Sequence, residues 1–246
     1  MYFKQFLTEV RTGDLIAFNK AIEQNAFSNN EFGEGYNIKQ WFRNRGYATV
    51  GEGFYASVMQ STDHFIVKIA DGDRGYNQYV ELARRGGNPH FPKIIAQKQV
   101  EDVDIYFIER LYPFYDIPAK EFIQHHTKKD APMFLWLAYN FVGASNPKAA
   151  TYMVEVANTL DPSLKIQEVP EHPGYKNERK VDQYWTNVTA YESTLEDELE
   201  RIKSNHPFLQ AVEQIKRIRE STDIHTGNIM IRKPAFQLVI TDPLAG

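Results

Sequence analysis

The sequence contains no cysteine, which excludes disulfide bonds and thiolate metal sites. It also has no internal repeat and no uncharged apolar run near the roughly 18 residues that a membrane helix requires. The N-terminus has no recognisable secretory leader, so we expect a cytoplasmic protein without a membrane partner. Neither sign of charge dominates, since the net charge is -4, and direct nucleic-acid binding is not expected.

The chain has 246 residues, of which 42% are hydrophobic, and this suffices for one large or two small packed lobes. Apolar residues recur three or four apart through residues 1–25, so we expect residues 1–45 to form a helical N-terminal extension. Phe27–Asn37 is expected to be a polar loop within it.

Between residues 46 and 111 the composition changes to short runs of β-forming residues. These runs predict a five-stranded antiparallel sheet with one helix. The predicted strands are 47–50, 54–59, 65–69, 93–97 and 104–108, and the predicted helix is 76–85.

Residues 112–246 are mainly helical in pattern, which makes the fold class α+β. An irregular insert is expected at 161–180, and a hairpin at 229–240. Pro207 suits the first turn of the last helix. The predicted helices are 131–142, 148–160, 181–203 and 208–219.

Two glycines, Gly51 and Gly53, lie in a predicted strand–turn–strand, where they would let backbone approach a polyphosphate closely. When they are taken alone, a plain hairpin is the better explanation, because hairpins with Gly-x-Gly turns are common. Lys68 lies on the third strand between apolar residues, where a cation can pair with nucleotide phosphates if a helix carboxylate holds it. Glu81 is the candidate carboxylate; the alternative is that both charges face solvent.

The segment Asp223-Ile224-His225-Thr226-Gly227-Asn228 carries a carboxylate and a carboxamide five residues apart. Such an Asp can orient an attacking hydroxyl, while the Asn coordinates Mg²⁺ on nucleotide phosphates. Asp242 follows two β-branched residues and is placed to be a second metal ligand. Each residue alone has an ordinary explanation as a capping or turn residue, but the ordered set favours phosphoryl transfer.

In this order the residues resemble the protein-kinase-like fold over roughly residues 47–246. Within that superfamily they are most similar to the early serine/threonine protein kinases of T7-like bacteriophages. The similarity lies in Gly51–Ser57, Ile66–Ile69, Asp223–Met230 and Ile240–Pro243.

The resemblance implies a two-lobed fold, with an N-lobe at 46–111 and a C-lobe at 112–246 that has no activation segment or late helices. It implies transfer of the ATP γ-phosphoryl to Ser or Thr of host bacterial proteins during infection, including RNA polymerase or RNA-processing enzymes. Self-phosphorylation is a further possibility that it raises.

The resemblance also implies a role for each candidate residue. Asp223 would be the catalytic base, and Asn228 and Asp242 would bind Mg²⁺. Lys68 would anchor the phosphates. The remaining nucleotide-binding residues would be Gly51 and Gly53 over the phosphates, Glu81 holding Lys68, and Glu109 and Leu111 in the hinge beside adenine.

Two departures keep alternatives open. Thr222 and His225 replace the Arg and Lys that flank the catalytic Asp in ordinary eukaryotic kinases, as in aminoglycoside and choline phosphotransferases. A small-molecule phosphotransferase is therefore one alternative. A non-catalytic kinase-fold module that binds a host factor is another, although intact Lys68, Asp223, Asn228 and Asp242 disfavour it.

Overall fold

The computed structural model describes residues 2–27, 33–53, 56–60, 65–114, 117–143, 146–170, 178–218 and 222–244. The chain is mixed α+β and divides into two compact units. Unit 1 comprises Met1–Arg84 and Pro92–Arg110, and unit 2 comprises Arg85–Phe91 and Leu111–Ala245. None of the helices in these described residues combines the length and apolarity needed to cross a membrane.

Unit 1 contains a five-stranded sheet in the order β1-β2-β3-β5-β4, with every neighbouring pair antiparallel. The antiparallel five-stranded sheet expected from the sequence is thus confirmed. Its strands are β1 (Ala48–Glu52), β2 (Ala56–Gln60), β3 (Phe65–Asp71), β4 (Ile94–Val100) and β5 (Val103–Glu109).

One face of this sheet packs against two N-terminal helices, α1 (Tyr2–Glu23) and α2 (Glu34–Arg43). Successive strand residues point to opposite faces, so alternate residues of β3 and β5 turn toward these helices. Phe107 on β5 lies 5.8 Å from Phe18 and 6.1 Å from Phe42 between ring centroids. Residues of the expected N-terminal extension therefore belong to the same hydrophobic core as the sheet.

The prediction of a polar loop over Phe27–Asn37 is wrong for its last residues, because α2 begins at Glu34. Residues 28–32 of that stretch lie outside the described residues. Ile38 and Phe42 lie one turn apart and are fully buried, so α2 is stabilised by the face it presents to the core.

The opposite face of the sheet is covered by α3 (Arg74–Arg85), which follows β3 directly. Tyr76 and Tyr79 belong to the buried face of α3, and the Tyr76 ring lies edge-on to Tyr106 of β5 with centroids 5.1 Å apart. This face also carries Lys68.

Unit 2 is mainly helical, and the four helices predicted from the sequence are confirmed to within a few residues at their ends. Pro207 occupies the first turn of the last helix, as expected. The short helix at Ala119–His125 was not predicted. The helices are α4 (Ala119–His125), α5 (Ala131–Gly143), α6 (Pro147–Leu160), α7 (Glu178–Ile202) and α8 (Pro207–Lys216).

Unit 2 also holds a three-stranded sheet of β6 (Tyr112–Pro113), β7 (Ile229–Arg232) and β8 (Gln237–Ile240). The predicted hairpin is β7–β8, whereas β6 was not foreseen. Within the predicted insert, residues 161–170 form neither helix nor strand, 171–177 lie outside the described residues, and 178–180 already belong to α7.

Candidate functional site

Lys68 lies at the centre of β3, paired in register with Val58 on β2 and Tyr106 on β5. Its side chain is only 5% exposed. The ammonium Nζ lies 3.7 Å from Oδ2 of Asp73, which is equally buried, and 3.2 Å from the centroid of the Tyr76 ring. Lys68 is therefore held by an ion pair and a cation–π contact.

Asp73 is the residue immediately before α3. Its Oδ1 accepts a hydrogen bond from the backbone N–H of Tyr76 at 2.9 Å, so the carboxylate caps the first turn of the helix. Glu81, which the sequence analysis named as the partner of Lys68, is an exposed residue further along α3. The sequence reasoning missed Asp73, although an Asp just before a helical pattern is a recognisable cap signal.

A network of polar groups continues from Asp73 across the same face of the sheet. Asn77 Nδ2 donates to Asp104 Oδ2 at 2.7 Å, and the Tyr106 hydroxyl donates to Asn77 Oδ1. Burial, together with the negative charges of Asp104 and Asp73, raises the pKa of Tyr106 above its usual range. Tyr106 consequently remains a neutral donor at physiological pH.

Gly51 and Gly53 lie at the β1 end of the β1–β2 hairpin, whose tip at residues 54–55 is outside the described residues. A Cβ at Gly51 would lie 3.6 Å from Val58, and one at Gly53 would lie 3.8 Å from the Ala56 carbonyl oxygen. Both are ordinary contact distances, and neither glycine has a positive φ. The conformation of the described hairpin residues therefore does not itself require glycine at these two positions.

Glu109 and Leu111, the expected hinge residues, fall at the boundary of the two units. The Glu109 N–H donates to the Lys93 carbonyl at 3.0 Å, and Glu109 Oε1 accepts from the Lys93 N–H at 2.8 Å. Glu109 is thus fixed at the end of β5. Leu111 is buried and is the first residue of its segment in unit 2.

In unit 2 the loop Asp223–Asn228 is closed by hydrogen bonds between its ends. Asn228 Nδ2 donates to the Asp223 carbonyl at 2.7 Å, and the Asn228 N–H donates to the His225 carbonyl at 2.9 Å. Ile224 is buried, which anchors the loop to the unit. The Asp223 side chain is 49% exposed and therefore accessible to another molecule.

His225 lies inside this loop. Its Nδ1 accepts the Gly227 N–H at 3.0 Å, and its Nε2 lies 3.7 Å from Asp223 Oδ2. Asn228 Nδ2 lies 3.1 Å from the same Nε2. A Cβ at position 227 would lie 2.8 Å from the His225 Cε1, so only glycine allows the imidazole to pack here.

Asp242 is brought to the loop by the backbone on both of its sides. The Thr241 N–H donates to the Asn228 carbonyl at 2.8 Å, and the Pro243 carbonyl accepts from the Asp223 N–H at 2.7 Å. The β7–β8 pairing of Ile229 with Ile240 sets up these contacts. The hairpin separates Asp242 from Asn228 in the sequence, and its pairing brings the Asp242 backbone back to the loop that carries Asp223 and Asn228.

Two side chains of this segment carry oxygen donors of the kind that Mg²⁺ prefers. The Asp242 carboxylate and the Asn228 amide oxygen are hard ligands, and a phosphate-bound Mg²⁺ takes most of its other ligands from phosphates and water. Asn228 anchors its nitrogen on Asp223, so the amide oxygen is the atom it offers to a cation. In the part of the chain that the structure describes, no group of three or more His, Cys, Asp or Glu side chains is arranged as a metal site.

No protein-family model matches this chain, and no curated protein matches it. Lys68 and Asp73 are brought together in unit 1, and Asp223, His225, Asn228 and Asp242 in unit 2.

Proposed function

We propose that this protein is an ATP- and Mg²⁺-dependent protein kinase that transfers the γ-phosphoryl group to Ser or Thr of host bacterial proteins during phage infection. The observation that carries the proposal is the gathering of Asp223, Asn228 and Asp242 by the backbone hydrogen bonds of the loop and the hairpin. A base beside two oxygen ligands for Mg²⁺ is the arrangement that phosphoryl transfer uses.

Several features of unit 1 support the nucleotide-binding half of a kinase-like fold. A Gly-x-Gly hairpin, a strand lysine and a helix follow one another before β4. Neither Gly51 nor Gly53 is required by the local backbone, which favours the interpretation that their small size serves a bound phosphate chain. The helical unit 2, which carries the loop, supports the second lobe.

The reaction assigns one role to each residue. Asp223 accepts or orients the proton of the acceptor hydroxyl, whose oxygen attacks the γ-phosphorus as the bond to the bridging oxygen of ADP breaks. Asn228 and Asp242 hold Mg²⁺, which neutralises phosphate charge when bound. Lys68 anchors the α- and β-phosphates. Positioning and charge stabilisation, rather than a covalent intermediate, lower the barrier.

The choice of acceptor rests on the resemblance to phage kinases, which favours host proteins such as RNA polymerase or RNA-processing enzymes. His225 supports a second candidate, a small-molecule phosphotransferase. It occupies the position where ordinary protein kinases have Lys, and its ring is built into the loop through Gly227. This alternative differs in the acceptor only.

The test is transfer of label from [γ-³²P]ATP with Mg²⁺ to a bacterial lysate, and separately to a panel of aminoglycosides. Asp223→Ala and Asp242→Ala should each reduce transfer by at least about 100-fold. Asp182→Ala is the matched control, because Asp182 is exposed on α7 of the same unit and should leave transfer unchanged.

The acceptor that becomes labelled separates the two candidates. Labelled lysate proteins that disappear in both site variants support the protein kinase. Label found only on aminoglycosides supports the small-molecule enzyme. ATP binding without transfer to protein or aminoglycoside contradicts both.

A further inference from the structure

We propose that Asp73, rather than a carboxylate within the helix, is the residue that positions Lys68 for the nucleotide phosphates. The inference rests on the proposed function in assigning Lys68 to the phosphates, but the contact itself lies wholly within unit 1. In this proposal the start of α3, rather than its middle, determines the position of the Lys68 ammonium.

The turn between β3 and α3 brings Asp73 back toward the strand it has just left. Gly72 has φ +73°, a left-handed conformation that favours glycine, and it lets the chain reverse direction directly after β3. Asp73 is then placed five residues after Lys68 in sequence but 3.7 Å from its ammonium.

The carboxylate of Asp73 is itself fixed. One oxygen caps α3 by accepting the Tyr76 N–H at 2.9 Å, and the other faces Lys68. The aromatic ring of Tyr76 lies against the ammonium from another side, at 3.2 Å from its centroid. The same turn of helix thus supplies both the charge and the ring that restrict the lysine.

Burial makes this restriction effective. The side chains of Lys68 and Asp73 are 5% and 7% exposed, and charges shielded from water interact more strongly than charges on the surface. Glu81 lies eight residues further along α3, which corresponds to about 12 Å along the helix axis, and it is exposed. Asp73 is the buried carboxylate beside the ammonium, and we assign the positioning role to it.

The decisive variant is Asp73→Asn, because an Asn oxygen keeps the cap on α3 while the charge is lost. Asp102→Asn is the matched control, since it removes the same charge from an exposed position of the same unit. Asp73→Glu is the conservative variant, which restores the charge one methylene further out. Thermal melting of each variant establishes that it is folded.

Two readouts separate positioning from a merely structural role. The first is the KM for ATP against kcat, where Asp73→Asn should raise KM about tenfold while Asp102→Asn leaves it unchanged. The second is the rate at which acetic anhydride acylates Lys68 at fixed pH, followed by mass spectrometry. Asp73→Asn removes the ion pair that holds the amine against α3, so this rate should rise about tenfold in that variant.

Asp73→Glu should recover most of the loss in both readouts. If Asp73→Asn does not fold, Asp73→Ser decides, because the Ser hydroxyl keeps the cap on α3 without the charge. An unchanged acylation rate together with an unchanged KM in the folded, charge-free variant overturns the inference. A larger effect in Glu81→Gln than in Asp73→Asn overturns it as well. The acylation readout needs no nucleotide, so a protein without transferase activity would refute the proposed function while Asp73 is still judged on Lys68 reactivity.

Discussion

The two units hold their candidate residues in opposite ways. In unit 1, Lys68 is 5% exposed and is enclosed by a carboxylate and an aromatic ring. In unit 2, Asp223 and His225 are about half exposed, at 49% and 47%, and the backbone of the loop and hairpin fixes their place.

This difference separates two physical means of positioning a charge. A buried ion pair is held by side-chain packing, so removal of one partner leaves an uncompensated charge in the interior. An exposed carboxylate retains its hydration, and hydrogen bonds of the main chain determine where it lies. Substitution at the first site should therefore affect stability, whereas substitution at the second should affect chemistry alone.

The largest expected effect is that of Lys68→Met. It should reduce the free energy of unfolding by about 3 kcal/mol, because Asp73 is left buried without its cation. Urea unfolding followed by circular dichroism measures the change. Asp223→Asn, at the half-exposed site, should change the same quantity by less than about 0.5 kcal/mol.

The comparison fails if the two variants are equally stable. The double variant Lys68→Met with Asp73→Leu is a useful control, since it replaces both charges by apolar groups. It should be more stable than Lys68→Met alone, as expected when the unpaired carboxylate is the cause.

Acid should affect unit 2 through a buried histidine. Burial lowers the pKa of His90 to about 4, despite the hydrogen bond from its Nδ1 to the Leu238 carbonyl at 2.7 Å. Unfolded His90 would bind a proton near pH 6.5, so between these pH values the unfolded state holds more protons. Stability should be complete above about pH 6.5 and fall by on the order of 3 kcal/mol as pH drops to 4.

Fluorescence can assign this loss to unit 2. In a Trp41→Phe variant the remaining tryptophans, Trp136 and Trp185, both belong to unit 2. Urea unfolding of that protein should become easier as pH falls, and His90→Gln should flatten the dependence. An unchanged slope in His90→Gln would assign the acid sensitivity to other groups.

The smallest expected effect contrasts two glycines. Gly227→Ala places a Cβ 2.8 Å from the His225 ring, so the imidazole must move and stability should fall by about 1 kcal/mol. In unit 1, Gly53→Ala meets its nearest neighbour at 3.8 Å, and the change should be below about 0.5 kcal/mol. Thermal melting compares the variants. Equal losses would mean that the hairpin glycine is also structurally required.

Local sequence patterns were sufficient for most of the strands and for the long helices. In β3, the run Phe65–Asp71 is rich in β-branched residues, and in α6 the apolar spacing and Pro147 mark a helix with its first turn. The strand pairs and the β7–β8 hairpin follow from such signals because most of the interacting segments are neighbours in sequence, and only β3 and β5 are separated by α3 and β4.

The remaining features depend on partners distant in sequence. Helix α2 has a short apolar face, and Ile38 and Phe42 can be recognised as core residues only when the sheet that covers them is known. Strand β6 is two residues long and exists because Tyr112 pairs with Ile231, more than a hundred residues later. The pattern of apolar residues within α2 or within β6 does not predict these contacts with distant strands.

Among the site residues, the loop and Asp242 were identified from residue type and spacing, and the structure gathers them. The contact between Lys68 and Asp73 was harder to predict from the sequence, because it depends on how α3 lies on the sheet. Asp73 is a buried carboxylate beside Lys68, and burial is a property of the assembled unit rather than of the segment.

The hairpin β7–β8 has a consequence for how relatives of this chain can vary. Four successive cross-strand pairs, from Ile229–Ile240 to Arg232–Gln237, fix the separation between Asn228 and Asp242. A residue gained or lost within either strand would turn its side chains to the opposite face and misplace the second ligand. Length differences between homologues should therefore be confined to the turn at residues 233–236, while the flanking strands keep a constant length.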